Sequence, residues 1–127
     1  MLNEAYNLVK EFQSQAGQIV NNTPTYLSRE RVLVRYQWML DEIKEFLEAN
    51  NIYQQADAIM DLLYYALGTL VEMGIKPDEL FILLHEWNLK KISSTVCYDE
   101  NGKVLKPKGW RHPDKEIKEI IDHMVSD

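Results

Sequence analysis

Carboxylates at helical spacing on two otherwise apolar segments carry the chemistry of this chain. Asp41, Glu42 and Glu45 lie in Trp38-Met-Leu-Asp-Glu-Ile-Lys-Glu-Phe-Leu47. Asp57 and Asp61 lie in Asp57-Ala-Ile-Met-Asp-Leu-Leu-Tyr-Tyr-Ala-Leu-Gly68. Residues three or four apart share a helix face, so Glu42 pairs with Glu45 and Asp57 with Asp61. Asp61 heads the run Leu-Leu-Tyr-Tyr-Ala-Leu, where most directions point into protein, and an uncompensated carboxylate there is costly. Oxygen-only ligands gathered in this way suit a hard cation, and Mg²⁺ commonly brings phosphate groups with it. The plain alternative is that the acids are solvated. Against it, Trp38 and Phe46 flank Glu42 and Glu45, while Lys44 and Glu48 already supply a polar face. Asp57 also has a bland role open to it, as a first-turn acid favourable to the helix dipole.

Helices must position these groups. A first helix is expected over about 3–15, with Ala5, Leu8, Val9 and Phe12 on its apolar stripe. Asn21-Asn-Thr-Pro-Thr25 is a connection, and Ser28 is an N-cap for a second helix, about 28–49. Asn50-Asn51 breaks the pattern before a third helix, about 53–73, which stops at Gly74. The second half of that helix is apolar nearly all round, so it is expected to lie centrally, covered by other helices or by a second subunit, with Tyr64 and Tyr65 in the core unless one hydroxyl reaches an acid or ligand. Pro77, Asp78 and Glu79 suit the first turn of a fourth helix, about 77–92. A tail over 93–113 follows, in which Asp99-Glu-Asn-Gly102 marks a turn between two short extended pieces. Its segment Lys103-Val-Leu-Lys-Pro-Lys-Gly-Trp-Arg111 holds four cations and no acid, and a short terminal helix over about 114–125 closes the chain. The fold class expected is all-α, a four-helix-bundle-like arrangement with a basic tail.

The composition is that of an ordinary soluble domain: 127 residues, 46% hydrophobic and 27% charged. A formal charge of −6 argues against a nucleic-acid polymer as partner, since backbone binding wants a basic face. The single cysteine, Cys97, excludes an internal disulfide framework and a multi-cysteine zinc site, and it fits a reducing cytoplasm. Met1-Leu-Asn-Glu lacks the character of a signal peptide, and the apolar run 58–71 is too short to span a bilayer. A cytoplasmic protein without a membrane partner is therefore expected. His85, His112 and His123 are read as structural or exposed. None has a glutamate three residues before it, which weighs against a di-iron carboxylate bundle.

Taken together, Asp41-Glu-Ile-Lys-Glu45 and Asp57-Ala-Ile-Met-Asp61 with the apolar run after it resemble the all-α nucleoside triphosphate pyrophosphohydrolase superfamily. That group includes MazG, the HisE-type phosphoribosyl-ATP pyrophosphohydrolases and the dimeric dUTPases. Asn22-Thr-Pro-Thr25, His85-Glu-Trp-Asn-Leu-Lys-Lys91 and Gly102-Lys-Val-Leu-Lys-Pro-Lys-Gly-Trp-Arg-His-Pro-Asp114 resemble further segments of MazG-like members, in the same order. The resemblance covers nearly the whole chain and implies one domain, 1–127.

What the resemblance implies is Mg²⁺-dependent hydrolysis of a nucleoside triphosphate to monophosphate and pyrophosphate, with Mn²⁺ as an alternative ion. Glu42, Glu45 and Asp61 match family metal ligands, and Asp41 stands where the family has the first Glu of its motif. The Glu of the second motif falls on Ala58, a departure that makes Asp57 the substitute ligand and leaves the number of ions open. Glu42 or Asp41 would take the proton of the attacking water. Asn88, Lys91, Lys103, Lys106 and Lys108 would hold phosphates, and Trp110 or Trp38 would stack on a base. The family further implies a homodimer or tetramer, and subfamily resemblance points to dUTP or a related deoxynucleotide, with clearance of non-standard nucleotides the other role. Two readings compete with catalysis: a helical protein-interaction module, and a nucleotide binder that does not cleave, which the Ala58 departure makes conceivable.

Overall fold

A computed structural model describes residues 1–93 and 95–124 as five helices with no sheet. The described chain divides into two compact units, Met1–Pro77 with Met124, and Asp78–His123.

The first unit holds α1 (Leu2–Gln15), α2 (Arg29–Glu48) and α3 (Ile52–Met73). Ser28 caps α2 by accepting from the Arg31 amide at 3.2 Å, and Asn51 caps α3 by accepting from the Gln54 amide at 2.9 Å. The short link between those two helices makes them an antiparallel hairpin. At its far end α3 stops at Gly74, whose φ of 69° is left-handed. A side chain there would also strike Thr23 O at 2.2 Å, so the position needs glycine twice over. That closeness lets the α1–α2 connection lie along the end of α3, where Asn21 and Thr25 amides donate to Val71 and Met73 carbonyls.

Helix α3 is central, as its composition requires, and packs against both α1 and α2. Tyr6, Val9, Leu67 and Val71 form the core, with Ala5, Val20 and Leu70 around them. The buried stripe of α1 is Tyr6, Val9 and Gln13, not the expected Ala5, Leu8, Val9 and Phe12; Leu8 and Phe12 are exposed. The cause is Gln13, which is buried because both ends of its amide are satisfied: Nε2 donates to Ile19 O at 2.9 Å and Oε1 accepts from Arg35 at 3.2 Å.

In the second unit, α4 (Asp78–Lys90) packs with α5 (Asp114–Asp122). Two residues short of its expected end, α4 tightens into a turn in which the Lys91 and Ile92 amides reach back only three residues, to Asn88 O and Leu89 O. The expected turn is present: Asp99 Oδ1 accepts from the Asn101 and Lys103 amides, and Tyr98 and Val104 form an isolated antiparallel bridge. Position 94 and the expected last residue of the terminal helix, 125, lie outside the described residues. No single described helix is long and apolar enough to cross a membrane.

Candidate functional site

Along α2 the residues Arg31, Arg35, Trp38, Glu42 and Glu45 recur at intervals of four and three, which is one helix face. Along α3 the matching face is Asp61, Tyr65, Gly68 and Glu72. Antiparallel pairing then sets Arg31 and Arg35 against Glu72, Trp38 against Tyr65, and Glu42 and Glu45 against Asp61. Arg31 and Arg35 reach Glu72 at 2.7 Å and 3.3 Å, and the Trp38 and Tyr65 rings lie 5.9 Å apart. The seam is cationic at one end, aromatic in the middle and acidic at the other end.

At the acidic end, one carboxylate oxygen each from Glu42, Glu45 and Asp61 lies within 4.8 Å of the others. Glu42 Oε2 is buried and has no hydrogen-bond partner among the described residues. Burial, then the neighbouring Glu45, then the charges of Asp61 and Asp57 push the Glu42 carboxyl up to about 7. Burial and then the charges of Asp57 and Glu45 raise Asp61 too. Three carboxylates that repel one another around an unsatisfied oxygen have a donor set that fits a hard divalent cation. The triad can therefore coordinate one.

Asp57 is close enough to press on Glu42 and Asp61 through its charge, but it is exposed and not one of the triad. Ala58, in place of the family's Glu, is buried. Asp41 is exposed and accepts from Gln37 Nε2 at 2.7 Å, away from the cluster.

Beside the triad opens a pocket of about 300 Å³, with Glu42 and Asp61 in its wall. Phe12, Trp38, Tyr64 and Tyr65 give it aromatic sides, and Gln13, Gln18 and Arg35 line the rest. Tyr64 and Tyr65 are thus pocket walls, not core as the apolar run implied. Phe12, exposed on α1, meets Tyr64 edge-on at 5.8 Å. Arg35, Glu72 and Gln13 escaped the sequence reading. Their signal was the four-and-three spacing of Arg31, Arg35, Trp38 and Glu42, together with a lone Glu72 in the most apolar helix.

The remaining sequence-derived candidates lie in the second unit. Lys108 and Trp110 line a shallow cleft of about 250 Å³ with Trp87, Lys90 and Arg111. Lys90 stands 3.6 Å from the Trp87 ring centroid and Lys91 5.5 Å from that of Trp110. Arg111 is committed to Glu116 at 2.9 Å. Asn88, Lys103 and Lys106 are exposed. His85, His112 and His123 are exposed, as expected.

The titration of Glu42 makes a measurable prediction. Its carboxyl in the folded, metal-free chain is raised above the ordinary 4.5, so its contribution to stability is full below that value and is lost as pH rises through about 7. A bound cation requires the ionised form and relieves the repulsion. Mg²⁺ or Mn²⁺ is thus expected to raise the melting temperature more at pH 8 than at pH 6, with EDTA reversing it. Equal shifts at both pH values would remove Glu42 from the metal site.

A family profile described as phosphoribosyl-ATP pyrophosphohydrolase matches residues 9–88, more than half of the chain. The matched stretch contains the triad, the pocket and Asn88, and it ends before Lys91 and the tail cations. No curated protein matches the chain.

Proposed function

The chain belongs to the phosphoribosyl-ATP pyrophosphohydrolase family, a branch of the MazG-like all-α pyrophosphohydrolases, and we propose that it cleaves a nucleoside triphosphate with the help of Mg²⁺, with dUTP, suggested by the resemblance of its motifs and tail, the first candidate. It is a hydrolase of the MazG type, acting on nucleoside triphosphates. The observation that carries the metal dependence is the triad, three carboxylates within 4.8 Å at the wall of an aromatic pocket.

When bound, Mg²⁺ (or Mn²⁺) supplies positive charge against the phosphate oxygens and lowers the pKa of a neighbouring water. Glu42, Glu45 and Asp61 would hold the ion, one carboxylate oxygen from each lying within 4.8 Å of the others. Glu42 is the proton acceptor of this scheme. Its buried Oε2 has no hydrogen-bond partner among the described residues, which leaves that oxygen open to a water proton. Asp57 adds negative charge beside the triad, which strengthens cation binding. Asp41, turned to Gln37, is the weaker alternative to Glu42 as acceptor. The aromatic pocket takes the base, with Trp38 as a stacking wall. Its volume of about 300 Å³ has room for a nucleobase, and Glu42 and Asp61 in its wall put the acids within reach of the phosphates attached to it.

Phosphate contacts by Asn88, Lys91, Lys103, Lys106 and Lys108, and a stacking role for Trp110, complete the proposal as chemistry that the second unit can supply. A homodimer belongs to it as well. Val32, Tyr36, Ile43 and Phe46 form an exposed apolar stripe along α2, a surface that monomers rarely leave bare.

The test is pyrophosphate release from dUTP, the other deoxynucleoside and ribonucleoside triphosphates, and phosphoribosyl-ATP, each with Mg²⁺ and then with EDTA. Metal-dependent release with a monophosphate as the other product is expected, and Lys106→Ala is expected to raise KM several-fold. No release from any member of the panel would leave a binding or interaction module in place of an enzyme.

A further inference from the structure

Arg35 is a charged side chain only 3% exposed, at the edge of the pocket, and the chemistry above makes no use of it. Its guanidinium is held at two edges. Nε donates to Glu72 Oε1 at 3.3 Å and Nη2 to Gln13 Oε1 at 3.2 Å. Glu72 is in turn fixed by Arg31, through Nε at 3.2 Å and Nη2 at 2.7 Å. The clamp spans all three helices of its unit, and α3 makes room for it at Gly68. A Cβ at that position would stand 2.3 Å from Gln13 Oε1 and 3.0 Å from Arg35 Nη1.

The clamped guanidinium lies 4.8 Å from the centroid of the Trp38 ring, with Arg31 at 5.7 Å. The ring is met by these two guanidinium groups and, in a tilted contact with centroids 5.9 Å apart, by Tyr65. Cation–π attraction of this kind is strongest where water is excluded, as it is around Arg35. A planar fork can satisfy two acceptors in its plane and still offer its face to a ring, which an ammonium group cannot.

We propose that Arg35 is a positioning residue for nucleobase binding: clamped by Glu72 and Gln13, it holds the Trp38 ring as a wall of the pocket and so sets affinity for the base. This rests on the reading of the pocket as the nucleotide site. Arg35 acts through Trp38 and touches neither the phosphates nor the acids. Its effect therefore falls on base binding and leaves the hydrolytic step to the triad.

The experiment is a double-mutant cycle with a spectroscopic arm. Arg35→Lys keeps the charge and loses the fork. It is expected to raise KM for the best triphosphate of the panel by about tenfold, the scale of one base–aromatic stack, with a much smaller change in kcat. In a Trp38→Ala background the same substitution is expected to add less than about twofold to KM. In a Trp87→Phe, Trp110→Phe background, where Trp38 is the sole tryptophan, Arg35→Lys is expected to increase acrylamide quenching of its fluorescence. Gln13→Met, which removes one acceptor and leaves the Arg35–Glu72 pair, gives a smaller shift in the same direction should Arg35→Lys fail to fold. Unchanged quenching, an unchanged KM, or a full effect in the Trp38→Ala background would each overturn the proposal. A wild-type chain that turns over no nucleotide refutes the functional reading instead. In that event the quenching alone decides whether Arg35 holds the ring.

Discussion

Glu45→Gln is expected to lower metal-dependent pyrophosphate release by about a hundred- to a thousandfold, the scale associated with loss of a directly stabilising electrostatic group. The same substitution is expected to make the metal-free chain slightly more stable. Both results follow from one arrangement. Glu45, Glu42 and Asp61 bring like charges within 4.8 Å, and the charge of Glu45 helps raise both of the other carboxyls above their ordinary range. Without a cation that repulsion opposes folding; with one it becomes the affinity of the site. Glutamine keeps the shape and removes the charge, so the Glu42 carboxyl falls back from about 7 toward ordinary values. The pH dependence of metal-free stability between 4.5 and 7 should then flatten. Glu45 is exposed, so the substitution leaves the packing of α2 on α3 alone. Activity close to wild type in Glu45→Gln would show that the triad is surface charge. A lower melting temperature of the metal-free variant would show that its carboxylate has a structural partner.

The acids were legible in the sequence because charge on an apolar face is conspicuous. Asp61 stood at the head of Leu-Leu-Tyr-Tyr-Ala-Leu, and Glu42 and Glu45 between Trp38 and Phe46. What spacing does not give is which of two adjacent stripes of a helix is buried. On α1, positions 5, 8 and 12 and positions 6, 9 and 13 repeat equally well, and the apolar set was the natural choice. The outcome turned on Gln13, whose burial is decided by Ile19 and Arg35, residues outside its own helix. The pocket was hidden for the same reason. Phe12 and Tyr64 read as core residues one helix at a time, yet they meet edge-on at the pocket wall, with Phe12 on an exposed face of α1. Asp57 and Asp61 are equivalent by spacing, but only the second falls within the triad, because α2 faces the later turn of α3.

Glu72 leads to the largest expected loss of stability. It is fully buried in α3 and accepts from Arg31 and from Arg35, which is itself almost fully buried. Burial alone would raise its carboxyl, but the hydrogen bond from Arg31 and the charges of both arginines outweigh that and hold it below the ordinary 4.5. Removing one member of such a group strands a charge without water, at a cost of about 3–5 kcal/mol. That is a large share of the ~5–15 kcal/mol by which a domain is stable. Glu72→Ala is therefore expected to lower the melting temperature by about 10 °C or more at pH 7, measured by circular dichroism with the metal absent. The sign with pH is fixed by the depressed value. The stabilisation from Glu72 is full above 4.5 and is lost as pH falls through its folded value, so wild type and variant converge in acid. The arginines make the decisive control. Two of them face one carboxylate, so Arg35→Met in the Glu72→Ala background removes the stranded charge and is expected to recover much of the lost stability. It should not recover the quenching-protected state of Trp38, because the guanidinium that holds the ring is gone. A double variant no more stable than Glu72→Ala would mean that the buried pair acts by packing rather than by charge. In that case the contact between α2 and α3, and not the neutralisation of Arg35, would be what Glu72 secures.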